Sequence, residues 1–254
     1  MQMQEYNRGF AQVYNTRWAH FAHTVAPRIL TFYESRLGNS QAKSLLDICC
    51  GTGQLALHFL EHGYSVTGLD ISPAMLDYAR DNCRTYLDSG QARFVLGDAA
   101  HFDVEAGYGL AVSTYDALNH LPDAAALDGC FHATFAALLK GGWFIFDLNT
   151  RRGLRQWSGM SVNDQEDLTL ITRGVDAGER KYTHITGFVR QEDGRYTRVD
   201  QTAFNTVFDL EPVTAMLQQA GFSTVYCAQS ESLETPLAEP ELVPRMFFVA
   251  QKAV

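Results

Sequence analysis

The 254-residue sequence predicts an α/β fold, a parallel sheet that carries a small inserted antiparallel β cap. Between residues 43 and 150, strand-like apolar runs alternate with helical segments, an order typical of a parallel sheet with right-handed crossovers and helices on both faces. Residues 151–208 break this order with threonine- and aromatic-rich segments around the turn Gln191–Gly194, which indicates an antiparallel hairpin. A helix and two strands follow residue 209.

The pattern places each element of the sheet. The predicted strands are Ser44–Asp47, Tyr64–Asp70, Arg93–Leu96, Leu110–Thr114, Trp143–Leu148, Tyr182–Arg190, Arg195–Phe208, Val225–Cys227 and Met246–Ala250. The predicted helices are Gln54–Glu61 before Gly63, a segment starting at Ser72-Pro73, a segment carrying Leu127, Phe131, Phe135, Leu138 and Leu139 before Gly141-Gly142, and Glu211–Gln219 before Gly221. Residues 5–37 have the spacing of two short helices, with Pro27 opening the second.

The composition of the chain argues against several classes of function. The chain has 20 Lys and Arg against 29 Asp and Glu, a formal charge of -9, and no basic stripe for a nucleic acid. It has no apolar run of eighteen residues, so we expect no membrane span. Its N-terminus is polar, so we expect no export. Five cysteines without paired spacing indicate reduced thiols, with no disulfide frame and no metal site. We therefore expect a cytoplasmic protein that acts on a small molecule or a peptide.

The turn after the first strand, Cys49-Cys-Gly-Thr-Gly53, predicts a ligand site. Glycines allow backbone to approach a ligand closely, and the following helix offers free N–H groups at its start. Gly51, Gly53 and Ala56 also fit the dinucleotide pattern G-x-G-x-x-G/A. The turn alone does not decide between a dinucleotide and another nucleoside ligand.

Three acids at successive strand ends favour a nucleoside that carries an amino acid. Asp47 would repel a pyrophosphate and attract an ammonium group. Asp70 suits ribose hydroxyls, and Asp98 suits an adenine amino group.

Four motifs in order resemble the class I S-adenosylmethionine-dependent methyltransferases, in particular the sugar-amine N-methyltransferases and related bacterial small-molecule members. They are Asp47-Ile-Cys-Cys-Gly-Thr-Gly53, Leu69-Asp-Ile-Ser72, Leu96-Gly-Asp98 and Gly141-Gly-Trp-Phe-Ile-Phe-Asp147. The resemblance covers residues 40–150 and the closing strands. It implies a Rossmann-like seven-stranded sheet whose last strand is antiparallel, and S-adenosylmethionine as cofactor. The implied division is a helical lid over 1–40, a cofactor-binding core over 41–150, the β cap over 151–208, and residues 209–254 completing the core.

The resemblance also assigns cofactor residues. Asp47 and the Cys49 carbonyl would meet the methionyl amine, while Asp70 would hold the ribose. The remaining implied contacts are Gly51 and Gly53 at the turn, Ile71 and Met75 beside adenine, Asp98 and Ala99 at its edge, Tyr115 beside the methionyl group, and Tyr14 in the lid. Two positions depart from the family pattern: Gly109 replaces an acid and Cys49 replaces a glycine.

The polar stretch Ser113–Leu121 is where we expect the acceptor. His120 is the first candidate for a general base, because its unperturbed pKa lies near neutrality, and Tyr14 is the second catalytic candidate. The alternative for His120 is a loop histidine bonded to backbone. Further candidate acceptor contacts are Asp116, Asn119 and Arg245, with Phe188, Tyr196 and Arg198 on the hairpin.

The leading hypothesis is methyl transfer to a small-molecule amine nitrogen by in-line displacement. Three alternatives stay open: small-molecule O-methylation, methylation of a peptide or protein N-terminus, and a non-catalytic binding protein with this fold. The sequence does not decide the oligomeric state.

Overall fold

The structure, a computed structural model, describes residues 6–37 and 42–254. Residue 5 and the predicted boundary between residues 40 and 41 lie outside the described residues. The helices are α1 Arg8–Val13, α2 His20–Glu34, α3 Gln54–Glu61, α4 Pro73–Asn82, α5 Arg84–Asp88, α6 Ala124–Ala137, α7 Arg151–Arg155 and α8 Leu210–Ala220. The strands are β1 Ser44–Ile48, β2 Ser65–Asp70, β3 Ala92–Leu96, β4 Tyr108–Ser113, β5 Leu138–Asn149, β6 Gly159–Gln165, β7 Leu168–Asp176, β8 Arg180–Arg190, β9 Tyr196–Thr206, β10 Phe222–Ala228 and β11 Arg245–Lys252.

A seven-stranded sheet forms the centre of the fold, in the order β10-β11-β5-β4-β1-β2-β3. The pairs among β1 to β5 are parallel, and β11 is antiparallel to both of its neighbours. Buried side chains of α2, α3 and α4 cover one face, and those of α6 and α8 cover the other. The predicted fold class is confirmed, including the antiparallel last strand.

A second sheet, β6-β7-β8-β9, is antiparallel throughout. The sequence predicted its β8–β9 hairpin but missed β6 and β7. All seven residues of β6 are exposed, so the strand lacks the burial alternation that reveals a strand in a sequence. The inner face of this sheet packs on α1 and α4 through Phe10, Val13 and Met75.

Two local predictions were wrong. Pro27 lies inside α2 and does not open a helix, because the helix continues around a buried apolar face that includes Val25 and Ile29. Leu138 and Leu139 belong to β5, since the helix before them ends at Ala137. A π-helical turn, Tyr14–Trp18, joins α1 to α2.

Gly109 at the start of β4 has a packing reason. An added Cβ would lie 2.0 Å from the hydroxyl of Tyr33 and 2.6 Å from the carbonyl oxygen of Ala42. Tyr33 is fully buried, and its hydroxyl donates to that same carbonyl at 3.0 Å. The glycine therefore leaves room for a buried tyrosine that ties α2 to the chain entering β1.

We expect Gly109→Ala to destabilise the protein by about 1–3 kcal/mol, the usual cost of overpacking a core. Urea unfolding measures the change. Tyr33→Phe removes the clashing hydroxyl, so the alanine should cost less in the Tyr33→Phe background than in the wild type. Equal costs in the two backgrounds would contradict this packing account.

Candidate active site

The glycine turn between β1 and α3 is shaped by close packing. Gly53 has φ 75°, and an added Cβ would lie 3.0 Å from the Cβ of Ala79 in α4. Gly51 has φ 54° and lies under the ring of Tyr14. Cys49 also has a left-handed backbone, φ 58°, which a glycine adopts without strain. The glycine that the family resemblance implies at this position would therefore avoid backbone strain.

Asp70, at the end of β2, organises the turn. Its Oδ2 accepts the backbone N–H of Gly51 at 2.8 Å, and its Oδ1 accepts that of Ser72 at 2.9 Å. Burial raises the pKa of Asp70, and these backbone N–H groups act against the rise. Each carboxylate oxygen has a second lone pair, so Asp70 can still accept hydrogen bonds from the hydroxyl groups of a ligand.

Asp47, at the end of β1, is a buried acid whose charge is poorly compensated. It is 2% exposed, and its Oδ2 has no hydrogen-bond partner. Burial and the neighbouring charge of Asp70 raise its pKa to about 8, although the backbone N–H of Ala56 favours the ionised form. An orphaned buried carboxylate of this kind suits a cationic ligand group.

The adenine-side candidates lie on the chain after β2 and β3. Oδ1 of Asp98 accepts the N–H of Ala100 at 2.9 Å, and Ala99 is buried beside it. Met75 is buried in the first turn of α4, whose cap is Ser72, as the sequence predicted. Ile71 follows Asp70 and is half-buried.

The N-terminal segment covers the strand ends. The carbonyl of Tyr6 accepts the hydroxyl of Ser72 at 2.9 Å, so this segment lies across the end of β2. Tyr14 lies over Gly51, with its ring centre 6.0 Å from that of Tyr115. A small cavity remains beneath, lined by Tyr14, Trp18, Ala19, Phe21, Ala22, Asp47, Cys49, Cys50, Thr52, Gln54, Leu55, Thr114 and Tyr115. Both tyrosines and Asp47 thus face one space.

The loop after β4 has an unusual backbone that Asp147 stabilises. Tyr115 and Asp116 have positive φ values of 66° and 51°. Their N–H groups donate to the two carboxylate oxygens of Asp147, at 2.7 and 2.8 Å. Asp147 ends the fourth sequence motif and is fully buried, so the motif acts by fixing this loop.

Arg245 joins two buried acids at the same place. It pairs with Asp116 at 2.7 Å and also contacts Asp147. Burial alone would lower the pKa of Arg245, but the two carboxylates outweigh burial and raise it. Its guanidinium lies over the rings of Phe21 and Tyr115, which stack with centres 4.6 Å apart. Arg245 is therefore held inside the protein, with its charge already paired.

His120 and Asn119 connect this loop to β9. Nδ1 of His120 lies 2.6 Å from the carbonyl oxygen of Phe204, a contact that requires a proton on Nδ1. Its Nε2 lies 3.3 Å from the hydroxyl of Tyr6. Burial lowers the pKa of His120, against the charge of Asp116 and the bond to Phe204. Asn119 is fully buried and bonds the backbone of Thr206 and Asn149, so its amide holds the fold together.

The structure gathers some predicted residues and separates others. Around the cavity it brings together Tyr14, Asp47, Cys49 and Tyr115, with Gly51 directly under Tyr14. Phe188, Tyr196 and Arg198 are instead exposed on the outer face of the second sheet, away from α1, because strand alternation turns them outward.

Sequence reasoning missed four residues of the site. The sequence pattern assigned no role to Tyr6 or Phe21, and it gave Asp147 only as the last residue of a motif. Asn205 on β9 donates to Oδ2 of Asp116 at 2.9 Å, a contact between the two sheets. Asn205 occupies an inward position of its strand, which was the available signal.

Comparison with known proteins shows which family the core of the fold resembles. Residues 45–142 match the family model described as a methyltransferase domain. The chain contains a methyltransferase domain. YqeM of Bacillus subtilis, named provisionally as a methyltransferase, is 26% identical over 97% of each chain. The ubiquinone biosynthesis O-methyltransferase of Pectobacterium atrosepticum is 28% identical over 60% of this chain and 61% of its own.

Solved structures agree on the fold. An S-adenosylmethionine-dependent methyltransferase from Clostridium acetobutylicum matches with TM-score 0.80 and 19% identity, over 97% of this chain and 98% of that one. The sugar N-methyltransferase KedS8 from Streptoalloteichus matches with TM-score 0.72 and 21% identity, over 100% and 95%. The chain thus combines a methyltransferase domain with the class I fold of S-adenosylmethionine-dependent methyltransferases.

The residues present fit S-adenosylmethionine, the cofactor that the sequence motifs imply. Asp47 offers an unpartnered buried oxygen to an ammonium group, and it lines the cavity beneath Tyr14. No helix in residues 6–37 or 42–254 is long and apolar enough to span a membrane.

Asp47→Asn tests the electrostatics of the site. A folded-state pKa of about 8, above the unfolded value, means that the folded protein binds the extra proton between about pH 4 and 8. Wild-type stability without cofactor should therefore fall as pH rises through this range, by up to about 1.4 kcal/mol per pH unit. Asp47→Asn should lose that slope and bind S-adenosylmethionine about tenfold or more weakly, since it lacks the charge-assisted bond.

Urea unfolding from pH 5 to 9 and calorimetry with S-adenosylmethionine measure the two effects. Asp88→Asn, an exposed acid at the end of α5, is the control and should behave as wild type. Identical pH dependence of stability in the wild type and Asp47→Asn would refute the assignment.

Proposed function

We propose that the protein transfers a methyl group to an amine nitrogen of a small-molecule acceptor. When bound, S-adenosylmethionine supplies the methyl group on a sulfonium sulfur. Asp47 and the backbone at Cys49 would hold its amine, Asp70 its ribose, and Asp98 with Ala99 the edge of its adenine. Ile71 and Met75 would flank the adenine, while Tyr14 and Tyr115 would exclude water from the methyl end.

Charge at the loop supports a cationic or amine acceptor. Asp116 and Asp147 are buried against one cation, Arg245, so this group carries a net negative charge when ionised. Asp47 and Asp70 add two further buried carboxyl groups near the cavity. A site with this surplus favours positive ligands and disfavours carboxylates or phosphates.

His120 is suited to remove a proton from the acceptor. Its contact with the Phe204 carbonyl fixes the proton on Nδ1, which leaves the lone pair on Nε2. The lowered pKa keeps the ring neutral at neutral pH, as a general base requires. The hydroxyl of Tyr6 lies 3.3 Å from Nε2, so an acceptor would have to displace this hydroxyl to reach the base.

An open cleft between residues 156–158, which follow α7, and the second sheet would offer space for the rest of the acceptor. Its lining includes Trp157, Thr172 and Thr183. The hydroxyl of Thr183 is buried without a partner. Thr183 lies two residues along β8 from the position opposite Asn205, which bonds Asp116. The cleft supports a neutral, hydroxylated acceptor body over a peptide chain.

Small-molecule O-methylation is the second candidate, supported by the Pectobacterium relative, an O-methyltransferase. The KedS8 neighbour, a sugar N-methyltransferase, supports nitrogen. A neutral histidine could remove a proton from either acceptor, so the base does not decide between oxygen and nitrogen. The two candidates differ instead in the acceptor charge that the site would tolerate.

A methyl-transfer screen separates the candidates. We expect pools of amino sugars and other small amines to acquire mass from labelled S-adenosylmethionine, and pools of phenols to remain unmodified. Mass spectrometry of both pools checks this. Labelled phenols with unlabelled amines would establish the second candidate, and cofactor binding without any product would favour the non-catalytic alternative.

His120→Ala should lower turnover about 10²-fold or more and leave S-adenosylmethionine affinity within about threefold, since a base acts on the acceptor. In the wild type, the His120 limb of the pH profile should lie below pH 6.5, because its pKa is lowered and the base works only when neutral. That limb should be missing in the variant.

The pH profile of turnover and calorimetry with S-adenosylmethionine measure these effects. His132→Ala, an exposed histidine on α6, is the matched control. An unchanged pH profile in His120→Ala would remove His120 from the mechanism.

A further inference from the structure

The π-helical turn that carries Tyr14 is not held in place by a core of its own. None of the residues Tyr14–Trp18 is fully buried. Half-buried side chains fix a segment less firmly than a packed core does, so polar contacts contribute more to where this turn lies. Turns with π-helical geometry are rare and occur frequently at functional sites.

Asn15 supplies two such polar contacts through one oxygen. Its Oδ1 accepts a side-chain N–H of Gln54 at 3.0 Å and one of Asn82 at 2.8 Å. Gln54 is the first residue of α3, and Asn82 is the last residue of α4. The same nitrogen of Asn82 also donates to the carbonyl oxygen of Thr52, at 2.8 Å. The oxygen of Asn15 thus connects the π-helical turn to α3, to α4 and, through Asn82, to the glycine turn.

Tyr14, the residue before Asn15, closes the space above the glycine turn. A Cβ at Gly51 would lie 3.5 Å from Cε1 of Tyr14, so the ring is in van der Waals contact with this position. Only a small cavity remains beneath the ring, and Asp47 forms part of its wall. A nucleoside that carries an amino acid is larger than this cavity. It can therefore reach Asp47 only when Tyr14 moves away.

The surroundings of Tyr14 restrict how it can move. The rings of Phe10, Trp18 and Tyr115 lie around that of Tyr14, with centres 6.0 to 6.4 Å from its own. These rings leave little room for Tyr14 to rotate about its side-chain bonds. Opening the cavity therefore requires the π-helical turn itself to move, and that movement separates Asn15 from its partners on α3 and α4.

We propose that Asn15 is a positioning residue that acts through Tyr14. Its bonds to Gln54 and Asn82 hold the turn closed, and they set the rates at which the cofactor enters and leaves. Asn15 does not line the cavity, so the same bonds hold the turn with and without a bound cofactor. An interaction that is equal in the two states changes both rates and leaves the affinity unchanged. The proposal rests on the proposed use of S-adenosylmethionine at this site.

Stopped-flow binding of S-adenosylmethionine tests the proposal, with tryptophan fluorescence as the signal because Trp18 lines the cavity. Asn15→Ala should raise the association and dissociation rate constants about tenfold each, since two hydrogen bonds no longer oppose opening. The Kd should stay within about threefold of the wild-type value. Asn15→Leu, which is similar in volume and has no acceptor, should behave in the same way.

Two further variants separate the bonds from a general effect of substitution. Asn15→Asp keeps an oxygen acceptor at the same place, so both rate constants should stay within about threefold of the wild type. Thr16→Ala is the matched control. It removes the neighbouring exposed hydroxyl, which bonds the backbone of Gln12 in α1, and should behave as wild type.

Circular dichroism checks that each variant is folded, and two loss variants guard against the misfolding of one. Wild-type rates in folded Asn15→Ala and Asn15→Leu overturn the proposal. So does a loss of affinity in which dissociation alone is faster, because that result describes a damaged binding site. Fast rates in Asn15→Asp or Thr16→Ala also overturn it. A wild type that does not bind S-adenosylmethionine overturns the cofactor assignment and this proposal together, whereas unchanged variant rates with normal wild-type binding overturn this proposal alone.

Discussion

Buried negative charge at the carboxyl ends of the parallel strands is the constraint on which the rest of this structure depends. Asp47, Asp70, Asp116 and Asp147 are all at most 7% exposed, and Arg245 is the cation that pairs with two of them. Removing carboxylates from water destabilises a fold unless partners compensate. Backbone N–H groups do so for Asp70 and Asp147, whereas Asp47 has an orphaned oxygen. The strand ends are thus built to receive positive charge from a ligand.

The same acids connect the second sheet to the first. Asp116 bonds Asn205 of β9, and His120 in the same loop bonds the Phe204 carbonyl on that strand. Strain in the loop, with positive φ at Tyr115 and Asp116, persists because Asp147 holds both N–H groups. A displacement of β9 would therefore move the loop after β4. The second sheet is a structural part of the site for this reason.

The sequence was sufficient for features that depend on local pattern. The strand ends bearing Asp47 and Asp70, the helix Gln54–Glu61 and the Ser72 cap follow from apolar runs and capping chemistry, and the structure has them. Features that depend on distant contacts could not be predicted. Pro27 lies inside α2 because tertiary burial outweighs its cost, and Asn119 is structural because Thr206 and Asn149 meet it from remote parts of the chain. The direction in which Phe188 points required the register of β8, which its sequence alone left open.

The two departures from the family pattern have opposite physical meanings. Gly109 removes a side chain where Tyr33 needs the space, so it is matched to its surroundings and carries no strain. Cys49 adds a side chain where the backbone is left-handed, at a cost of about 1–2 kcal/mol for a residue with a Cβ. That strain persists next to Asp47, whose burial is also unfavourable in the absence of a ligand. Both costs lie on the segment that would contact the methionyl amine. Cofactor binding can relieve the electrostatic one, because an ammonium group stabilises the ionised form of Asp47. The cofactor would therefore bind the folded protein and also stabilise the turn that contacts it.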